Sequence, residues 1–201
     1  MKPDLDEGAA GAGGPDPVDL YARANESFAA ALHAVQDGQW SLPTPCADWD
    51  VRTLVNHVVG EELWVVPIFD GKTVADVGNA LDGDLLGDDP VATGDDAAAR
   101  ALDSIRAPGA MAQIVHLSFG DIPGSEYTMQ LFADHLIHGW DLATAVGADT
   151  RLDPELVAAC ADWFAGMEEL YRASGAVGPR VDVDPNADPQ TALLARFGRT
   201  S

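Results

Sequence analysis

Apolar positions along this chain recur mostly at three- and four-residue steps, which is the spacing of one face of an α-helix. The first such stretch runs from about residue 16 to residue 36. Its apolar face consists of Tyr21, Phe28, Leu32 and Val35. After the Pro-punctuated loop SLPTPCADW, a second helix is predicted to begin at VRTLVNHVV, because Asp50 can cap it by accepting from its free backbone amides.

Three further helices follow from the same periodicity and from their end signals. The third is predicted over DDAAARALDSIRA (95–107). The fourth should run from about residue 125 to residue 146, and Gly147 suits a left-handed cap at its end. The fifth should begin after the cap Asp153 and continue to Gly175.

The segments between the helices lack helical periodicity. Residues 71–96 are rich in Gly and Asp and predict an irregular acidic connection. The β-prone residues 114–119, followed by the turn signals Gly120-Asp121 and Pro123-Gly124, predict extended chain or a short hairpin before the fourth helix. Residues after Gly175 predict a Pro-rich wrap with one short apolar turn at Leu193 and Leu194. Long amphipathic helices with little strand predict an all-α bundle.

Composition adds the domain organisation and excludes several classes of partner. Residues 1–15 are Gly, Ala and acidic residues without periodicity, so we expect a disordered tail before one domain over residues 16–201. A formal net charge of −22 argues against binding to nucleic acid or to an anionic membrane surface. Because no apolar run reaches the roughly 18 residues of a membrane span and no signal pattern precedes the domain, we expect a cytoplasmic protein. Cys46 and Cys160 are expected to be small buried hydrophobes.

The strongest chemical signal is the pair Asp134 and His138, which lie four residues apart in LFADHLIHGWDLATAVG. Such residues share a helix face with Cβ atoms about 6 Å apart, so a carboxylate and an imidazole can bind one divalent metal. His57, just outside the apolar arc of the second helix, is the best candidate for a third ligand. Two histidines and one carboxylate leave coordination positions open for water or substrate, which is the pattern of a catalytic site.

Several alternatives remain open from the residues alone. Asp134 could simply accept a hydrogen bond from a nearby Arg or His. His135 is a second-choice ligand and is better explained as a surface or hydrogen-bonded histidine. Glu61, four residues after His57, is a weaker candidate for a fourth ligand or a base, and Trp64 would line the same region. Asp141 could orient His138 or be an exposed helix acid.

Three stretches, LPTPCADWDVRTLVNHVVG, LSFGDIPG and LFADHLIHGWDLATAVG, resemble an actinobacterial family related to the N-terminal domain of mycothiol-dependent maleylpyruvate isomerase. That family belongs to the DinB-like metal-binding bundles. The resemblance runs from about residue 16 to residue 201 and implies a DinB-like four-helix bundle with an additional C-terminal helix and wrap. It also implies that His57, Asp134 and His138 bind a divalent metal, usually regarded as zinc, and form the catalytic centre.

Two departures from the isomerase pattern bear on the activity. The isomerase motif carries Glu where this chain has Asp134, and the isomerase has a second domain that this chain is too short to supply. The resemblance therefore favours a stand-alone metal-dependent thiol S-transferase or isomerase, in which a metal-bound thiolate of mycothiol type attacks a small electrophile. The alternatives are a metal-dependent hydrolase and a non-catalytic bundle that binds a small molecule or partner. Either way, we expect a monomer or homodimer.

Overall fold

The structure, a computed structural model, describes residues 14–200. Most of the tail predicted over residues 1–15 thus lies outside the described residues. The elements are α1 (Pro17–His33), α2 (Val51–Phe69), α3 (Val74–Val77), α4 (Pro90–Ile105), a 3-10 turn (Ala110–Ala112), β1 (Ile114–Leu117), β2 (Gly120–Pro123), α5 (Gly124–Val146), α6 (Pro154–Ser174) and α7 (Pro189–Arg196). The predicted all-α class is therefore right in its main features, with one small sheet added.

The predicted hairpin before the long helix α5 is confirmed. Strands β1 and β2 pair antiparallel, with Val115 opposite Ile122 and Leu117 opposite Gly120. Val115 is fully buried and anchors the hairpin to the helical core. The β-prone run and its turn residues thus fold as their local preferences indicate.

Three predictions about where helices occur were wrong. Helix α4 begins at Pro90 rather than at residue 95, because the Asp89 side chain accepts from Ala92 N and Pro90 suits the first helical turn. The connection predicted as irregular contains the short helix α3, closed by a capping box at Thr73. In the C-terminal wrap, the predicted apolar turn is the eight-residue helix α7, capped by Asp188.

Aspartate caps account for part of the acidic composition. Five helices begin after an aspartate whose side chain accepts from a backbone amide of the first turn: Asp16, Asp50, Asp89, Asp153 and Asp188. Each such cap satisfies an otherwise unpaired amide and places a negative charge at the positive end of the helix dipole.

Helix α5 lies at the centre of the fold and contacts α1, α2 and α6. Most of its side chains are buried on nearly every face, as expected for a helix that is apolar almost all round. The approach of α1 is close at Gly139, where an added Cβ would lie 3.5 Å from Phe28 Cα. None of the described helices is both long and apolar enough to cross a lipid bilayer.

Candidate metal centre

The structure brings together the three side chains that the sequence singles out. His57 projects from α2, while Asp134 and His138 project from the same face of α5. One ligand atom from each lies within 4.8 Å of the other two. His57 Nε2 is 3.3 Å from Asp134 Oδ1, and His138 Nε2 is 3.5 Å from that same oxygen.

These separations suit a tetrahedral metal ion. Zinc ligands about 2.1 Å from the ion are separated from each other by about 3.4 Å along the edges of a tetrahedron. Both nitrogen–oxygen distances at Asp134 are close to that length. The donor set is also chemically suitable, because imidazole and carboxylate are common ligands of divalent zinc.

Asp134 carries a second feature that fits a metal ion. Its side chain is 27% exposed as a whole, yet Oδ2 is buried and has no hydrogen-bond partner among the described residues. A buried carboxylate oxygen without a partner is costly, and a cation at this position would satisfy it. The geometry and the chemistry of these three side chains therefore fit a divalent metal.

A second carboxylate fixes the orientation of His138. Asp141 Oδ2 lies 3.0 Å from His138 Nδ1, one helical turn further along α5. A proton on Nδ1 leaves Nε2, which faces Asp134, with its lone pair available. The Asp141 side chain is fully buried, so the alternative of an exposed helix acid was wrong.

Arg199 from the C-terminal segment completes this arrangement. Its Nη2 donates to Asp141 Oδ2 over 2.7 Å, and its Nε donates to Asp141 Oδ1 over 3.1 Å. The pKa of Asp141 is held below its usual range: burial raises it, but His138 and Arg199 outweigh that effect. The carboxylate is therefore charged when it accepts from His138. Sequence reasoning missed Arg199, which lies in a segment without periodicity.

His135 points away from these ligands into the core. Its side chain is fully buried. Its Nε2 lies 3.1 Å from Glu62 Oε1, and its Nδ1 lies 2.8 Å from the Leu131 carbonyl oxygen. The same Glu62 oxygen accepts from Asn25 Nδ2 over 2.8 Å. The alternative of a surface histidine was wrong, while that of a hydrogen-bonded one is confirmed.

Trp49, which sequence reasoning also missed, covers the two histidine ligands. Its ring centroid lies 4.8 Å from that of His57 and 5.5 Å from that of His138, the latter in a stacked arrangement. Trp64, the aromatic residue expected here, packs against the hydrophobic core instead and does not line the cavity at the site. Trp49 immediately precedes the cap Asp50, so the start of α2 positions the indole beside His57.

The three side chains open onto a cavity of about 380 Å³. Apart from the polar groups, its wall is mainly aromatic and aliphatic, formed by Tyr127, Leu131, Ile137, Trp163, Tyr171 and Phe197. A mostly apolar cavity with a few polar groups is the usual form of a small-molecule site. The ligands thus face a space in which a small molecule can be held.

Cys46 also lines this cavity and is only partly buried, so the prediction that it is a buried hydrophobe was wrong. Its Sγ forms a second candidate ligand group with His138 and Asp141. Burial raises the pKa of its thiol despite the nearby Arg199. Cys160 is buried as predicted, and burial raises its pKa to about 12.

The carboxylates at the site interact strongly with the histidines. Burial raises the pKa of Asp134, but the attraction of His138 and His57 is larger in sum and holds it well below its usual range. Burial lowers the pKa of His57, yet Asp134 and Glu61 raise it above its usual value. Burial and the charge of Asp134 raise the pKa of Glu61, which also lines the cavity.

Comparison with known proteins matches the family that the sequence motifs resemble. A family model described as the mycothiol maleylpyruvate isomerase N-terminal domain matches residues 21–143. Two curated relatives, the uncharacterized proteins MT0763 and Rv0738 of two Mycobacterium tuberculosis strains, are each 35% identical over 196 residues. These alignments cover 92% of this chain and 98% of each relative. No solved structure matches the chain significantly.

Proposed function

Because this chain belongs to the family of the mycothiol maleylpyruvate isomerase N-terminal domain, we propose that it is a metal-dependent thiol S-transferase or isomerase acting on a small electrophile. The observation that carries the proposal is the convergence of His57, Asp134 and His138 at the open cavity, with the buried Asp134 Oδ2 unpaired among the described residues. The thiol partner is of mycothiol type.

We also propose that four of the helices form a DinB-like bundle. Each contacts two of the others in a closed ring, since α1 contacts α4 and α5, and α2 contacts the same two helices. Helix α6 contacts α5 as an additional element. This arrangement supports the interpretation because bundle cores of facing helices commonly hold metal ligands.

The metal ligands in this proposal are His57, Asp134 and His138, and the metal is a divalent cation, zinc being the first candidate. When bound, such a cation favours the ionised form of a coordinating thiol at neutral pH. Asp134 contributes the anionic ligand, and Asp141 keeps His138 in the tautomer that presents Nε2. Trp49 shields the two histidine rings from water on one side.

The remaining residues bind the reactants and handle the proton. The cavity wall beyond the ligands holds the electrophile beside the thiol sulfur, so that both reactants meet in one orientation. Glu61 lines the same cavity next to His57, and its carboxylate oxygen is the group we assign to accept the thiol proton and return it to the product. The raised pKa of Glu61 suits that exchange better than the pKa of an ordinary glutamate would.

Metal content and thiol dependence test the proposal together. Elemental analysis of the purified full-length chain should find about one divalent metal per chain, and thiol consumption should require both metal and an electrophile. His138→Ala should remove both properties. The matched control is His33→Ala, because His33 is an exposed histidine that pairs with Asp95 away from the cavity. Metal-dependent turnover without thiol would instead favour the hydrolase, and the absence of turnover would favour a binding module.

A further inference from the structure

We infer that the cavity selects uncharged, aromatic or otherwise apolar electrophiles and rejects carboxylate-bearing ones; this inference rests on the proposed thiol transfer. Maleylpyruvate, the compound in the family's name, carries two carboxylates. A site for such a compound needs cationic or amide donors to replace the water lost on binding. Besides the two histidine ligands, the described lining of this cavity offers such donors at Gln130 and Arg199 alone, and Arg199 already pairs with Asp141.

The apolar part of the cavity wall is largely aromatic. Trp163 and Tyr171 come from α6, with their ring centroids 5.8 Å apart in an edge-to-face arrangement. Tyr127 enters from α5 and Phe197 from the residue after α7, and Phe197 stacks on the buried Phe164 at 4.0 Å. Rings held by such contacts present a preformed apolar surface to an aromatic or aliphatic group.

Much of this wall lies beyond the segment that defines the family. The family model ends at residue 143, whereas Trp163, Tyr171, Val177 and Phe197 all follow it. Much of the substrate-binding side of the cavity is therefore built by a part of the chain that the family model does not cover. The metal ligands, in contrast, all lie within residues 21–143.

The charges at the cavity disfavour an anion. Glu61 and Asp134 line it directly, and together with the bound thiolate they would offset the two positive charges of a divalent metal. The whole chain carries a net charge of −22. Among the described lining residues Arg199 is the sole lysine or arginine, and its guanidinium already forms a two-point pair with Asp141. A carboxylate entering here would lose hydration and meet carboxylates of the same sign.

Conjugate addition is the reaction class that such a ligand set and cavity suit. In that step the thiol sulfur bonds to the β-carbon of an unsaturated ketone, and the carbon–carbon π bond breaks. The thiol proton ends on the α-carbon, so no oxidant or reductant is needed. Benzylideneacetone is a substrate of this kind, and benzylidenepyruvate is its carboxylate-bearing counterpart.

Binding measured without turnover tests the selectivity directly. Benzylacetone and hydrocinnamate share a phenylethyl group and differ in carrying a methyl ketone or a carboxylate, and neither accepts a thiol. Isothermal titration calorimetry with the full-length protein, before and after metal removal, measures both affinities. Benzylacetone should bind at least about tenfold more tightly than hydrocinnamate in both cases. Equal or tighter binding of hydrocinnamate, or no measurable binding of either compound, would overturn the inference.

Variants of the aromatic wall separate charge from shape. Tyr171→Arg places a cation in the wall and should increase hydrocinnamate affinity by about tenfold, while Tyr171→Leu, the uncharged control, should not. An unchanged preference in Tyr171→Arg would contradict the role assigned to charge. Should this variant misfold, Trp163→Leu tests the wall instead, since it should weaken benzylacetone binding severalfold. An unchanged benzylacetone affinity in that variant would contradict the role assigned to the wall.

Turnover distinguishes failure of this inference from failure of the proposed function. Faster thiol addition to benzylidenepyruvate than to benzylideneacetone would overturn the selectivity while retaining the transferase. Preferential binding of benzylacetone without any metal- and thiol-dependent turnover would instead overturn the transferase.

Discussion

Arg199 Nη2 donates to Asp141 Oδ2 over 2.7 Å, which joins the C-terminal segment to the central helix across 58 positions of sequence. The same carboxylate oxygen lies 3.0 Å from His138 Nδ1. The guanidinium, the carboxylate and the imidazole therefore form a chain that ends at the nitrogen facing Asp134. Because outer partners fix the tautomer and orientation of a ligating histidine, this chain should govern metal affinity.

The first prediction is that Asp141→Asn weakens zinc binding by about 10- to 100-fold, the usual cost of losing such a partner. Asparagine keeps the shape of the side chain but removes the charge that holds the proton on His138 Nδ1 and pairs with Arg199. Competition with a chromophoric chelator measures the affinity. Asp149→Asn is the control, because Asp149 is an exposed acid that pairs with Arg151. Equal affinity in both variants would contradict an orienting role for Asp141.

The second prediction concerns the anionic ligand itself. Asp134→Asn should abolish the increase in melting temperature that zinc produces in the wild-type protein, because a ligand that binds only the folded state stabilises it. Asp134→Glu, which carries the acid of the isomerase motif, should retain part of that increase. Thermal scans with zinc and with EDTA measure both effects. An unchanged zinc-dependent shift in Asp134→Asn would exclude Asp134 from the ligand set.

Local sequence patterns account for most of the helices and for part of the site. Periodicity and caps predict α1, α2, α5 and α6, and turn residues predict the hairpin, because these signals act within one element. The spacing of Asp134 and His138 likewise places both on one face of α5. Such features require no knowledge of how the elements pack together.

The residues around the ligands could not be predicted in the same way. Trp49 reaches the site from a loop, and Arg199 reaches it after the chain has passed α6 and α7. Neither segment has a periodicity that specifies its path, so the contacts of Trp49 with His138 and of Arg199 with Asp141 arise from tertiary packing. Even the burial of Asp141 depends on Arg199, because an unpaired carboxylate would be costly at that depth.

The third prediction contrasts two buried glycines of α5. A Cβ at Gly124 would lie 2.1 Å from the Ala110 carbonyl oxygen, so Gly124→Ala forces backbone to move and should lower the free energy of unfolding by about 2 kcal/mol or more. A Cβ at Gly139 would lie no closer than 3.5 Å to Phe28, and Gly139→Ala should be neutral or stabilising, since alanine favours a helix by up to about 1 kcal/mol. Urea unfolding compares them. Equal losses would show that the contact at Ala110 yields easily.

The fourth prediction is a pH dependence at Glu168, which accepts from Arg172, Arg180 and Arg196. Burial raises the pKa of Glu168, but the three guanidinium groups together lower it below its usual value. A lowered folded-state pKa means that the stabilisation is present above the unfolded-state pKa and is lost as pH falls through the folded one. Glu168→Gln should therefore cost about 1–2 kcal/mol at pH 7 and much less in acid below the folded-state pKa, where the carboxylate is protonated.

Urea unfolding of both proteins at several pH values measures this difference. The control is Glu169→Gln, which removes the neighbouring glutamate from the same helix. If the free-energy cost of Glu168→Gln is the same at pH 7 and in acid, the carboxylate charge contributes nothing to the stability.

The fifth prediction distinguishes the structural role of His135 from the metal-binding role of His138, the two histidines of α5. His135→Ala should lower the free energy of unfolding by about 3 kcal/mol or more, because it leaves a void and removes a partner of the buried Glu62. It should retain zinc, since its ring points into the core. His138→Ala should lose zinc and cost less stability in EDTA. Urea unfolding in EDTA and zinc titration measure the two properties.

If His135→Ala does not fold, Glu62→Gln, which keeps the shape, should still be destabilised and bind zinc normally. Loss of zinc by a folded His135 or Glu62 variant would place the buried pair in the metal centre.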